Sequence, residues 1–89
     1  MQIGEEYRMT VPLQRILLRR DQHDEAENMV KLSASGQKII VPAETIVSCI
    51  HVDENENALM KIVAPAESPY LERMFVSSPR TQQSFELNI

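Results

Sequence analysis

The sequence predicts a mainly β domain, either a small, strongly bent antiparallel sheet or a partly open barrel. It would contain about five to seven strands and one short α-helix at about 69–76. Apolar residues recur with period two over much of the chain, and these segments are short and separated by turn-forming residues. An additional helix at about 12–20 would change the class to α+β.

The first strand is predicted near the N-terminus of the sequence. Tyr7, Met9, Val11 and Leu13 alternate with Arg8, Thr10 and Pro12, which is typical of a half-exposed strand. Pro12 has no backbone N–H to donate, so we expect it at a sheet edge or at a β-bulge.

Residues 14–20 fit two structures. A helix would place Ile16 and Leu17 on one apolar face. A strand shifted by a bulge would instead direct Ile16 and Leu18 inward, and this is the interpretation that we favour.

An antiparallel meander with short connections is predicted for the middle of the chain. The polar segment 21–28 is expected to be a surface loop, and a turn is expected at 35–37, where Gly36 can adopt positive φ. A second turn is expected at 53–57. The strand segments are 30–34, 38–41, 45–52 and 59–64.

The helix at 69–76 is predicted from its N-terminal residues and its apolar stripe. Ser68 is a good N-cap, and Pro69 would occupy the first helical position, where a missing N–H costs nothing. Two turns are not stable alone, so this helix would have to pack on the sheet. The stripe consists of Tyr70, Leu71, Met74 and Phe75.

The last strand is predicted at residues 85–89, where apolar and polar residues alternate again. Its one charged residue is Glu86, and an unprotected edge strand favours pairing with another chain. We therefore expect a non-catalytic, β-rich binding or assembly module that self-associates as a homo-oligomer or binds a protein partner. The expected interface residues are Met9, Val11, Phe85 and Leu87.

Composition limits the other classes of function. The 89 residues predict a single domain over 1–89, and the net charge of −4 makes nucleic-acid binding an unlikely role. The alternative of a small nucleic-acid-binding regulator would depend on the N-terminal arginines as phosphate contacts. These are Arg8, Arg15, Arg19 and Arg20.

A third hypothesis is a metal- or thiol-dependent activity at Cys49 and His51. Cys49, His51 and Asp53 alternate along one strand, which would place them on the same face as weak metal ligands. The chain has neither a glycine-rich phosphate loop nor a Gly-x-Ser-x-Gly motif, so we expect neither an enzyme nor a cofactor. A lone cysteine and the lack of a long apolar run favour a cytoplasmic protein without a membrane partner.

Overall fold

The computed structural model describes the backbone of residues 1–24 and 29–89 and the side chains of residues 1–18 and 36–89. Across these residues, seven antiparallel strands form one unclosed sheet, which confirms the mainly β prediction. A short 3₁₀ helix spans Thr81–Ser84. The strands are β1 (Glu6–Met9), β2 (Leu13–Asp24), β3 (Met29–Val41), β4 (Ile46–Val52), β5 (Ala58–Ala64), β6 (Met74–Ser77) and β7 (Phe85–Leu87).

The order of the strands across the sheet is β3-β2-β6-β5-β4-β1-β7. Strand β1 lies between β4 and β7, so the first and last strands of the chain are neighbours. Strands β2 and β6 are joined by one residue pair, Leu18 with Met74. The backbone pairing of the β2–β3 hairpin with the other five strands is therefore narrow, although Leu17 and Val41 of the hairpin pack in the common core.

The sheet bends strongly enough for distant strands to touch across its inner face. Three strands separate β6 from β7, which in a flat sheet would place them about 19 Å apart. The ring centroids of Phe75 on β6 and Phe85 on β7 are nevertheless only 6.4 Å apart, with the rings stacked. The bend therefore encloses an apolar core, whose fully buried members include Met9, Leu17, Val41, Val47, Met60 and Phe75.

Residues 14–20 form part of strand β2, so the strand interpretation is confirmed and the alternative helix is wrong. The predicted inward direction of Ile16 is also wrong, because Leu17 is the buried residue and Ile16 is 46% exposed. The pairing with β3 shifts register between Ile16 and Leu18, and this shift changes which residues face inward.

The turn predicted at 35–37 is instead a bulge within one long strand, β3. Ile16 pairs with Lys38 and Leu18 pairs with Ala34, so three residues of β3 lie opposite Leu17. Gly36 is in the middle of these three with φ of +79°, a conformation that glycine adopts without steric cost. The segment 21–28 was predicted as a loop, but strand β2 continues to Asp24, and residues 25–28 lie outside the described part of the chain.

The α-helix predicted at 69–76 is wrong. Ser68 does accept a hydrogen bond from the Tyr70 backbone N–H through its Oγ, at 3.2 Å, but only a tight turn follows. Glu72 has φ of +70°, which ends any helical path, and its N–H donates to the carbonyl of Ile62 on β5. The chain then continues as β6, because pairing along β5 stabilises these residues more than two isolated helical turns could.

The two ends of the chain differ in how well the strand predictions hold. Strand β1 stops at Met9, so Val11 and Pro12 lie in the connection to β2 rather than in a strand. The edge strand predicted at 85–89 is confirmed over Phe85–Leu87, where it pairs with β1 alone. Among the described residues, no helix is long and apolar enough to span a membrane.

Candidate functional site

The outer side of β7, which we call the β7 edge, presents backbone groups of Phe85 and Leu87. Thr10 N–H donates to the Ser84 carbonyl at 2.8 Å, and Asn88 N–H donates to the Glu6 carbonyl at 2.9 Å. Backbone direction alternates along an antiparallel strand, so the backbone groups of Phe85 and Leu87 do not face β1. The Phe85 N–H already donates to the Gln82 carbonyl of the 3₁₀ helix, which leaves the Phe85 C=O and both backbone groups of Leu87 on the β7 edge. Within the described part of the chain, no strand lies on that side.

The four predicted interface residues occupy different environments. Leu87 is 45% exposed at the β7 edge, and Phe85 beside it is half-buried against the core. Val11 is 48% exposed in the connection after β1. Met9 is fully buried, so the expectation that it is exposed is wrong: it is paired between β4 and β7, and its side chain enters the core.

Arg8 is held by two carboxylates on the outer face of the sheet. Its Nη1 contacts Glu44 Oε1 at 2.9 Å, and its Nη2 contacts Glu86 Oε2 on β7. Both ion pairs lie at the surface, and a phosphate would have to compete with these carboxylates for the Arg8 guanidinium. Arg15 lies on β2, and the side chains of Arg19 and Arg20 on the same strand lie outside the described ones.

A gap opens between β2 and β6 on either side of their single residue pair. The next pair, Ile16 with Val76, is not formed, and a cavity of about 460 Å³ occupies this position. We call this gap the β2–β6 seam. Its lining residues are Gln14, Arg15, Ile16, Leu18, Lys38 and Val76.

A second concavity of about 650 Å³ lies between the turn after β3 and the segment after β5. Its walls are mostly apolar and include Tyr70, and the two acidic residues Glu44 and Glu67 also line it. Glu44 already forms an ion pair with Arg8. Glu67 is therefore the one carboxylate of this cleft that has no ion pair in the described structure. Three prolines contribute to its walls: Pro42, Pro65 and Pro69.

The alternation of Cys49, His51 and Asp53 does not place them on one face. The pairing of β4 with β5 shifts register between Cys49 and His51, so Cys49 is buried while His51 is exposed. Burial raises the pKa of the Cys49 thiol, which keeps it protonated and poorly nucleophilic at neutral pH. The described side chains contain no group of three or more potential metal ligands.

Asp53 has a structural role in the turn between β4 and β5. Its Oδ1 accepts hydrogen bonds from the backbone N–H groups of Asn57 and Asn55, at 2.9 and 2.8 Å, and its Oδ2 accepts one from the Asn57 side-chain amide. These bonds hold the pKa of the Asp53 carboxyl below its ordinary value of 3.8, and the bond from the Asn57 backbone N–H lowers it most.

The lowered pKa of Asp53 predicts a pH-dependent contribution to stability. Because the folded carboxyl has the lower pKa, its contribution is present above about pH 4 and is lost as the pH falls through the folded value. Asp53→Asn keeps an acceptor oxygen but removes the charge. Urea unfolding of both proteins from about pH 6 to 2.5 should give the wild type the larger free energy of unfolding at high pH. The difference from Asp53→Asn should vanish at low pH. A difference that stays constant with pH would contradict this role.

The β2–β6 seam is the surface that the sequence did not indicate, because it depends on which strands are neighbours. The sequence feature that relates to the seam is the apolar residue Ile16, which the register shift directs outward. Its exposure follows from the pairing of β2 with β3, which the sequence pattern does not contain. Comparison of the chain with protein-family models, curated proteins and solved structures finds no match, so its function has to be inferred from the surfaces described above.

Proposed function

We propose that this protein is a non-catalytic assembly module that self-associates by pairing its β7 edge with the β7 edge of a second copy. The supporting observation is the outward direction of the Phe85 carbonyl and the Leu87 N–H and C=O, on a strand that has one neighbour among the described residues. Unpaired strand edges are templates for the addition of another strand. Pairing by a two-fold axis uses the same surface on both copies and closes after two.

The spacing of the outward groups suits a two-fold axis beside Glu86. In an antiparallel pair centred there, Phe85 of one copy lies opposite Leu87 of the other. In each such pair the Leu87 N–H donates to the Phe85 carbonyl of the other copy, which gives two backbone hydrogen bonds in total, because the Phe85 N–H is already bonded to Gln82. The exposed Leu87 side chain would then pack beside Phe85 of the second copy and extend the apolar inner face across the junction.

The charges near the axis support this pairing. The two Glu86 side chains would face each other, and like charges at such positions are destabilising. Each Glu86 is already bound to Arg8 of its own chain, which reduces the repulsion. The ion pair therefore weakens the protection that a free Glu86 would give to an edge strand.

The test is the substitution Leu87→Pro, which deletes an outward N–H without touching the bonds to β1. A proline is tolerated on an edge strand where its N–H would face away from the sheet. The dimer would lose both of its backbone bonds, and at about 1 kcal/mol each its dissociation constant should rise roughly thirtyfold or more. Sedimentation equilibrium over micromolar to millimolar protein measures this change.

Two control variants separate the β7 edge from other surfaces. Leu87→Val keeps the backbone donor and should retain the dimer. Ile40→Thr changes a residue that is 64% exposed on β3, at the opposite edge of the sheet, and should leave association unchanged. A wild-type protein that remains monomeric throughout the concentration range would overturn the proposal, and so would a dimer lost with Ile40→Thr but not with Leu87→Pro.

A further inference from the structure

The β2–β6 seam combines strand backbone, apolar side chains and two cations, Arg15 and Lys38. Its backbone direction follows from the β5–β6 ladder, in which Ile62 N–H donates to the Arg73 carbonyl at 3.0 Å. By alternation, Phe75 also bonds toward β5, while the backbone of Val76 points toward β2. There the Val76 carbonyl accepts a long bond of 3.5 Å from Arg15 Nη1 in place of a strand partner.

Apolar side chains flank this exposed backbone. Ile16 on β2 and Val76 on β6 are both 46% exposed and both line the cavity. Each is β-branched, and such side chains pack well against the alternating side chains of a neighbouring extended strand. A surface that offers main-chain groups and apolar contacts together suits an extended peptide.

The charge of the seam is positive in a chain whose net charge is −4. Arg15 and Lys38 both line the cavity, and none of the described side chains that line it with them is acidic. In the described structure, neither cation has a carboxylate within ion-pair distance. A guanidinium and an ammonium beside an apolar wall are complementary to a ligand with both carboxylate and apolar side chains.

We infer that the β2–β6 seam is a docking site for an extended peptide segment of a partner protein in which acidic and apolar residues alternate. The peptide backbone bonds to Val76 and displaces the long contact of Arg15. The freed guanidinium and Lys38 bind the acidic side chains, and Ile16 and Val76 contact the apolar ones. This site is separate from the β7 edge and does not depend on self-association.

The chemistry of the walls distinguishes a peptide from a nucleic acid. Single-stranded nucleic acids bind to surfaces on which aromatic side chains stack with the bases. The described side chains that line the seam include no aromatic residue. Backbone donors and acceptors beside β-branched side chains are instead the features of β-strand addition.

The probe is a blocked, fluorescein-labelled peptide of about seven residues with alternating valine and glutamate, measured by fluorescence anisotropy at low salt. Arg15→Gln and Lys38→Gln should each weaken its binding about tenfold, because each removes one charge-assisted contact. Arg80→Gln is the matched control: it removes an exposed cation outside the seam and should change binding less than about twofold. Amide shifts on titration should centre on Val76.

Several outcomes would overturn this inference. One is the absence of binding at peptide concentrations up to about 1 mM, because a dissociation constant of about 1 mM is at the weak end of specific recognition. Others are equal binding of a valine–lysine peptide, or unchanged binding by both Arg15→Gln and Lys38→Gln. A thymidine oligonucleotide that binds more tightly and requires Arg15 would assign the seam to nucleic acid. The same titration with the Leu87→Pro variant should succeed, which separates a failure here from a failure of the proposed dimer.

Discussion

Phe75→Ala is expected to lower the free energy of unfolding by about 3–5 kcal/mol, the range for removing a large aromatic side chain from a core. Phe75 is fully buried on β6, and its ring stacks on Phe85 of β7. The substitution therefore removes the contact that joins two distant strands across the bent sheet. A chain of this length has a total stability of roughly 4–13 kcal/mol, so the loss is a large fraction of it.

Urea unfolding measures this effect, with two variants as references. Phe75→Leu keeps most of the apolar volume and should cost clearly less than the alanine variant. Val76→Thr changes the next residue to one of the same shape on the exposed face, and should stay within about 0.5 kcal/mol of the wild type. Equal costs at positions 75 and 76 would contradict the inward direction of Phe75 in β6.

Period-two patterns identified most strands because alternate burial is a local consequence of the pleat. Strand β4 was predicted at 45–52 and forms at Ile46–Val52, and β5 was predicted at 59–64 and forms at Ala58–Ala64. The β7 edge was also predictable, since alternating residues near the end of the sequence with one charge indicate an edge strand. These features need no knowledge of which strands are neighbours.

The errors arise where tertiary contacts decide between two local options. The segment 69–76 has a helix cap and a helical stripe, but Glu72 bonds to β5 and Phe75 is needed in the core. Gly36 suits either a turn or a bulge, and its pairing with β2 selects the bulge. The β2–β6 seam likewise depends on the order of the strands, which short-range patterns do not contain.

Met9→Ala and Val11→Ala should have very different effects, although the two residues belong to one alternating pattern. Met9 is fully buried on β1, between β4 and β7, so its truncation should cost about 2–5 kcal/mol. Val11 is 48% exposed in the connection that follows, and its truncation should change the free energy of unfolding by no more than about 0.5 kcal/mol. The free energies come from urea unfolding of each variant at one pH and concentration.

The contrast tests where β1 ends, because the strand must stop before Val11 for the two residues to differ. Met9→Leu conserves volume and should cost less than about 1.5 kcal/mol, which separates a cavity effect from a general intolerance at this position. If the strand continued through Val11, both residues would face the same side, and both alanine variants would be destabilised to a similar degree. Neither residue is in the β7 pairing proposed above, so sedimentation of the folded Val11→Ala protein should match that of the wild type.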